Sequence, residues 1–144
     1  MFTVSTDPAR LDVVLIHQYL SQQSYWGLGM PLETLERALA NSLCFGLYGP
    51  DGQQAAFARV VTDRATFAWL CDVFVLPEFQ GQGLGKQLVA TIMAHPDLQG
   101  VRRFMLATLD AHSLYRRFGF QDLPTPERFL EIKKQNPYGV PTGN

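Results

Sequence analysis

The sequence predicts an α+β fold with a mixed sheet. The segment Trp69–Leu76 is almost entirely apolar, which is typical of a strand that is buried on both faces. A glycine-rich turn follows it, and the apolar residues beyond the turn recur at helical spacing: Leu84, Leu88, Val89 and Ile92. Strands and helices along the whole chain are predicted in the order β α α β β β α β α β, which is an α+β arrangement.

The N-terminal part is predicted to form a short edge strand and two helices. The strand covers Phe2–Ser5, and Thr6 or Asp7 caps the first helix, which has Pro8 in its first turn. The apolar stripe of this helix is Leu11, Val14, Leu15, Gln18 and Tyr19. Pro31 opens the second helix, whose inward residues are Leu32, Leu35 and Leu39.

The remaining elements are predicted from runs of apolar residues that are separated by turn residues. Gly49–Gly52 is a hairpin turn by composition, and residues 63–64 form a second turn. The predicted strands are 43–48, 55–62, 66–76, 101–109 and a last one at Arg128–Lys133. Residues 135–144 are predicted to be a loose tail because Pro, Gly and Asn recur through them.

Composition predicts one domain over residues 1–144 and excludes several classes of protein. The net charge of −1 provides no broad positive field for nucleic acid or membrane. No segment has the length of a membrane span, and no signal peptide is recognised. Cys44 and Cys71 lie in apolar runs without CxxC spacing, so we expect buried, reduced thiols in the cytoplasm and no metal site.

The glycine-rich turn predicts a binding site for a phosphate or pyrophosphate. The first N–H groups of a helix have no partner within it, and the helix dipole adds positive potential there. A Walker A loop is excluded because Gly85-Lys86 is followed by Gln87. A GxGxxG dinucleotide fingerprint is excluded because Lys86 occupies the position of its third glycine. The pattern that fits is (Gln/Arg)-x-x-Gly-x-(Gly/Ala), with Gln80, Gly83 and Gly85.

This segment resembles the acetyl-coenzyme A signature of the GNAT family of N-acetyltransferases. The preceding Val75-x-Pro-Glu-Phe resembles the same family. A second segment, from Asp110 to Phe120, resembles the family's Leu-Tyr-basic-Gly-Phe signature and ends in Gly119, which suits a left-handed helix cap. The resemblance covers about residues 43–122. It departs at Thr108, where many members carry Asn.

The resemblance implies a GNAT-like acyl-CoA N-acyltransferase fold, with a mixed, mostly antiparallel sheet that is flanked by helices. It also implies that two parallel strands, Trp69–Leu76 and Phe104–Thr108, splay apart to admit the pantetheine arm of acetyl-CoA. The cofactor-binding residues that it implies are Phe74, Val75, Gln80, Gly81, Gln82, Gly83, Leu84, Gly85, Lys86, Thr108 and Tyr115.

Three side chains are candidates for acid–base chemistry. The resemblance places Tyr115 near the sulfur of acetyl-CoA, where a phenol with a pKa of ~10 can protonate the leaving thiolate; the alternative is a core aromatic residue. Asp72 is an acid in an apolar strand, and it serves either as a base or cation ligand or as a structural partner of Arg59. His112 shares a helix face with Tyr115 and is either a base or a solvated residue.

Tyr25 and Trp26 are the candidates for contact with the acceptor, because the family's corresponding loop borders the acceptor groove. The alternative is that both rings pack under the sheet. The function implied is transfer of acetyl from acetyl-CoA to a primary amine of a small molecule, peptide or protein. The alternative function is a non-catalytic acyl-CoA-binding regulatory module, and either form is compatible with a homodimer.

Overall fold

The computed structural model describes residues 1–139 of the 144-residue chain, which form a five-stranded sheet with helices on both faces. The strands are β1 (Thr3–Ser5), β2 (Leu43–Tyr48), β3 (Gln54–Thr62), β4 (Phe67–Val75) and β5 (Arg103–Leu106). The helices are α1 (Val13–Gln18), α2 (Leu32–Ala40), α3 (Leu84–Met93) and α4 (His112–Arg116). A π-helical turn, Tyr19–Gln23, extends α1, and 3₁₀ turns lie at Pro8–Arg10, Pro77–Phe79, Pro96–Leu98 and Pro126–Arg128.

The strands follow the order β1-β2-β3-β4-β5 across the sheet. The first four pair antiparallel, and β4 pairs parallel with β5. That parallel pairing runs only from Phe67 opposite Arg103 to Leu70 opposite Leu106, whereas β4 continues to Val75. The strands β4 and β5 therefore part beyond Leu70, as the resemblance implied.

A β-bulge at Asp72 changes which face of the sheet the β4 side chains occupy. Phe57 pairs with Phe74 and Arg59 with Cys71, so two β4 residues lie opposite the single residue between Phe57 and Arg59. Asp72 takes a left-handed conformation with φ +54°, which Asp tolerates better than most residues. Because of this extra residue, β4 contributes to a different core on each side of the bulge.

One core lies between the sheet and α3, and the other lies between the sheet and α1–α2. Ala68 and Leu70, before the bulge, pack in the α3 core, where all four predicted stripe residues of α3 are buried. Phe74 and Leu76, after the bulge, pack in the second core with Ile16, Leu20 and Leu35. These two apolar layers hold the parting strands in place from both faces.

The prediction of one continuous first helix was wrong. Asp7 caps only the 3₁₀ turn, Leu11 is extended, and Asp12 accepts a hydrogen bond from Leu15 N at 3.1 Å to start α1. The later start changes the inward face, so that Ile16 is fully buried and Val14 is 66% exposed. The first residue of α2, Leu32, was also predicted inward and is exposed.

The prediction of a last strand at Arg128–Lys133 was also wrong. The segment follows a 3₁₀ turn and pairs with no strand of the described chain, and Leu130 and Ile132 are 98% and 100% exposed. The chain after Gly119 is irregular from Phe120 onward. Of the predicted tail, residues 135–139 contain only bends and a turn, and residues 140–144 lie outside the described residues.

Candidate active site

The glycine turn joins the end of β4 to α3 and has the backbone geometry of an anion site. Gly81 and Gly83 have φ of +83° and +78°, a region in which residues with a Cβ are strained, and Gly83 is the N-cap of α3. No N–H group from Gly81 to Lys86 donates to another described residue. These N–H groups therefore lie unpaired at the positive end of a ten-residue helix.

The side chains of the motif hold this turn in shape. Gln80 donates from Nε2 to the Val75 carbonyl at 3.0 Å, which ties the turn to the end of β4. Leu84 is buried in the α3 core and anchors the first helical turn. A Cβ on Gly85 would meet only Val75 Cγ2, at 3.9 Å.

The surface of the turn is polar, because Gln82 and Lys86 are exposed. Gln82 Nε2 approaches the Phe79 carbonyl at 3.4 Å, and Lys86 lies at the start of α3. Lys86 is thus placed where its charge adds to that of the helix N-terminus.

The end of β4 offers its backbone to the gap between β4 and β5. Phe74 is buried and stacks on Tyr19 at a centroid distance of 4.0 Å, whereas the Val75 side chain packs against the α3 core. With both side chains engaged in packing, main-chain groups are what this strand end can present to a ligand.

The helix α4, which follows β5 in the chain, positions Tyr115. The Thr108 hydroxyl accepts a hydrogen bond from Ala111 N at 3.1 Å and so helps to start the helix. Tyr115 is 7% exposed and makes an edge contact with Phe120, at a centroid distance of 6.0 Å. Its hydroxyl makes no hydrogen bond to any described residue.

Burial raises the pKa of the Tyr115 phenol above its usual range, and the charges of Asp110 and Tyr25 add to the increase. The phenol is therefore protonated throughout the physiological pH range and can act as a proton donor. His112 is on the same short helix, but it is exposed to solvent.

Asp72 is fully engaged with two partners. Its Oδ2 accepts from Arg59 Nε at 2.7 Å, and its Oδ1 accepts from Trp26 Nε1 at 2.8 Å. The Asp72 side chain is 5% exposed and that of Arg59 is 17% exposed, and Arg59 also donates to Ser42 Oγ at 3.1 Å. The pairing with Arg59 that the sequence left open is present.

The loop before α2 brings two aromatic rings to the same region. Trp26 and Tyr25 pack edge to face at 4.9 Å and are 40% and 61% exposed, so neither ring is covered by the sheet. Two candidates from separate parts of the sequence, Trp26 and Asp72, are thus in direct contact. No sequence signal indicates this contact, because it joins residues that are 46 positions apart.

A groove of about 590 Å³ runs along the free edge of β5. Residues 102–108 and residues 118–124 line it. Thr108, His112 and Tyr115 lie at one side of it. The groove contains no residue of the glycine turn, so it is separate from that turn.

The sequence profile of the acetyltransferase (GNAT) domain matches residues 41–122, which is more than half of the chain. The chain belongs to the GNAT family of acetyltransferases. The resemblance to this family in the sequence and the predicted fold class are both confirmed. The matched region contains the glycine turn, both parting strands and α4.

Individual GNAT relatives agree with this assignment. A crystal structure of a candidate GNAT acetyltransferase from Xanthomonas campestris pv. campestris is 51% identical, covers 97% of this chain and 98% of its own, and has a TM-score of 0.94. A candidate acetyltransferase of Gibberella zeae is 37% identical over 84% of this chain and 80% of its own length. A Clostridium acetobutylicum candidate acetyltransferase that was solved with acetyl-CoA shares the fold, with 15% identity, a TM-score of 0.66 and coverage of 92% and 96%.

Among residues 1–139, no cluster of three or more metal-ligating side chains occurs. Nor is any helix in that part of the chain both long enough and apolar enough to cross a membrane.

Proposed function

We propose that this GNAT acetyltransferase moves the acetyl group of acetyl-CoA to a primary amine of a small molecule, peptide or protein by direct attack. In this proposal residues 1–144 act as one N-acetyltransferase domain. The observation that carries it is the turn of unpaired N–H groups at the start of α3, beside the point at which β4 and β5 part. A reducing cytoplasm is the location that fits the two free thiols, Cys44 and Cys71.

Acetyl-CoA has three parts for this site to hold. The N–H groups from Gly81 to Lys86 bind the pyrophosphate, since a helix N-terminus favours anions. The pantetheine arm extends into the gap between β4 and β5, past Thr108. Main-chain groups at Phe74 and Val75 bind that arm and polarise the thioester carbonyl, which develops negative charge during attack.

Tyr115 serves as the general acid in this proposal. The departing CoA thiolate needs a proton, and a buried phenol whose pKa is raised stays protonated until that proton is needed. The hydroxyl has no hydrogen bond to a described residue, so it is free to donate to the sulfur.

The acceptor amine approaches from the side of Tyr25 and Trp26. Their exposed edge-to-face rings offer an apolar and electron-rich surface, which suits an aliphatic or cationic amine. Asp72 holds Trp26 in position, and its two oxygens are already bonded. We therefore assign the proton of the attacking amine to solvent or to His112, which is exposed near Tyr115.

The test is thiol release from acetyl-CoA with a panel of amines, namely polyamines, aminoglycosides, amino acids, arylamines and lysine peptides, with binding read by thermal shift. Release with one class of amine supports the proposal and identifies the acceptor. Binding without release from any amine favours an acyl-CoA-binding module, and the absence of binding contradicts both functions.

A further inference from the structure

The sheet face that is turned toward α1 and α2 is covered only at one end. Phe57 and Phe74 of this face are buried in the α1–α2 core. Toward the start of β4, beyond Asp72, its side chains take no part in that core, and Val61 and Phe67 are 41% and 38% exposed. A stretch of apolar sheet surface is thus left in contact with solvent.

The strand register shows which side chains form this open face. Leu70 and Leu106 pack in the α3 core, so their neighbours along each strand lie on the opposite side of the sheet. Trp69 pairs with Met105 of β5 and with Val61 of β3. The open face therefore consists of five apolar side chains: Val61, Phe67, Trp69, Cys71 and Met105. A contiguous apolar patch of this kind marks a binding surface.

One end of the open face reaches the candidate active site. Cys71 is followed directly by Asp72, which accepts the hydrogen bond from Trp26 Nε1 at 2.8 Å. The exposed Trp26 ring, which the proposed function places beside the acceptor amine, therefore borders the open face. A molecule whose amine lies beside Trp26 can extend its remaining body over the apolar side chains.

The other end of the open face carries positive charge. A cavity of about 470 Å³ opens there, lined by Thr66, Phe67, Arg102, Arg103, Met105 and Phe129. Arg103 lies opposite Phe67 in the register, and its guanidinium packs over the Phe129 ring at 5.0 Å. Within residues 1–139, neither Arg102 nor Arg103 forms an ion pair with a carboxylate. Two exposed cations without acidic partners suit an anionic group.

We propose that the open face is an extension of the acceptor site, and that the acceptor is a primary amine on an elongated apolar body that ends in an anionic group. Five residues separate Asp72 from Phe67 along β4, so the amine and the anion are about 16 Å apart. This inference rests on the proposed acetyl transfer and names its class of substrate.

The same arrangement disfavours polycationic acceptors such as polyamines and aminoglycosides. Asp72 is the acidic side chain of β4 at this face, and both of its oxygens are already bonded, to Arg59 and to Trp26. A second ammonium group on the acceptor would meet apolar side chains and then the two arginines, without a counter-charge.

The first test is a fluorescence titration that needs no reaction. The two tryptophans of the chain, Trp26 and Trp69, both lie at the proposed site, so their emission reports its occupancy. A saturable change is expected with 12-aminododecanoate in the absence of acetyl-CoA. The dissociation constant should be at least about fivefold higher for 1,12-diaminododecane, which lacks the anion, and at least about tenfold higher for butylamine, which lacks the long apolar body.

Three variants assign the contacts. Arg103→Gln should raise the dissociation constant of 12-aminododecanoate about fivefold and leave that of 1-aminododecane unchanged. Phe67→Ala should weaken the binding of both amines, because it removes apolar contact and no charge. Arg37→Gln is the matched control, since Arg37 is an exposed arginine on α2, and it should bind like the wild-type chain.

Thiol release from acetyl-CoA with the same amines separates this inference from the proposed function. We expect 12-aminododecanoate to have the highest kcat/KM of the series. No saturable fluorescence change, equal affinity for the diamine, or an unchanged Arg103→Gln variant would overturn the inference. Release with short amines but not with 12-aminododecanoate would overturn it and leave the proposed function in place. Failure to bind acetyl-CoA would contradict the proposed function, while the titration would still decide whether the open face binds such amines.

Discussion

Replacement of Gly83 by alanine separates the role of the glycine turn in folding from its proposed role in binding acetyl-CoA. Gly52 provides a matched control. Gly83 and Gly52 have φ of +78° and +82°, and a Cβ at either position has no heavy atom within 4 Å. The two substitutions therefore impose the same backbone strain and no steric clash. Only Gly83 lies at the N-terminus of α3, whereas Gly52 lies in the β2–β3 hairpin.

The effect on folding follows from the left-handed conformation. A residue with a Cβ costs roughly 1–2 kcal/mol in this region, so each variant is expected to lower the free energy of unfolding by about that amount. For a chain of this size the midpoint of thermal unfolding should fall by about 2–8 °C. Equal losses of unfolding free energy in Gly83→Ala and Gly52→Ala would establish that Gly52→Ala controls for the backbone strain.

The effect on acetyl-CoA binding should differ between the two variants. If the pyrophosphate lies against the turn, the new methyl group of Gly83→Ala occupies its space, and the dissociation constant should rise by at least about tenfold, or about 1.4 kcal/mol. Isothermal titration calorimetry with acetyl-CoA measures this constant directly. Gly52→Ala should bind like the wild-type chain.

Gly85→Ala adds a second control within the motif itself. Its Cβ would make one ordinary contact, with Val75 Cγ2 at 3.9 Å, and the pattern (Gln/Arg)-x-x-Gly-x-(Gly/Ala) admits alanine at this position. Binding should therefore be retained. Wild-type affinity in Gly83→Ala, or an equal loss in Gly52→Ala, would refute the assignment of the turn to the pyrophosphate.

Three further predictions concern the buried polar and titratable groups. Tyr115→Phe should lower kcat about 100-fold while acetyl-CoA affinity is unchanged, and an unaltered kcat in steady-state assays would contradict the role of general acid. Asp72→Asn removes the charge partner of Arg59 and should lower the free energy of unfolding by about 3 kcal/mol in urea denaturation; a loss below about 1 kcal/mol would mean that solvent replaces the pair. Burial raises the pKa of the Cys44 and Cys71 thiols to about 11 and about 12, above the ordinary value of 9.0. The stability that these thiols contribute is therefore complete below pH 9, and it is lost as the pH rises through their pKa values in the folded state. Thermal unfolding should show a smaller alkaline decline in Cys44→Ala/Cys71→Ala than in the wild-type chain, and an identical decline would contradict this.

Features that depend on neighbours in the sequence were predictable. The strand, glycine turn and helix from Trp69 to Met93 are marked by an apolar run, by glycines and by helical spacing, all of which are local properties. Gly119 was assigned a left-handed conformation for the same reason, and its φ is +97°. The spacing of the signature residues Gln80 and Gly83 is also local, and it was sufficient to indicate the family.

Features that depend on competition between local signals were not predictable. Asp7 and Asp12 are both good helix caps, and only packing of Ile16 in the α1–α2 core selects the later start. The segment from Arg128 to Lys133 has the pattern of a strand, but a pattern does not supply a pairing partner.

The sequence by itself determined the order of the elements as far as α4, the glycine turn and the family, because short-range spacing and glycine conformations encode them. The tertiary structure decided where β4 and β5 part, which face Asp72 occupies and what it contacts. One extra residue at the bulge reverses the face of the sheet on which the following β4 side chains lie. That change is defined only by the pairing of β4 with β3. The contacts of Asp72 with Arg59 and Trp26 follow from that pairing and from a loop 46 residues away, which no local signal can specify.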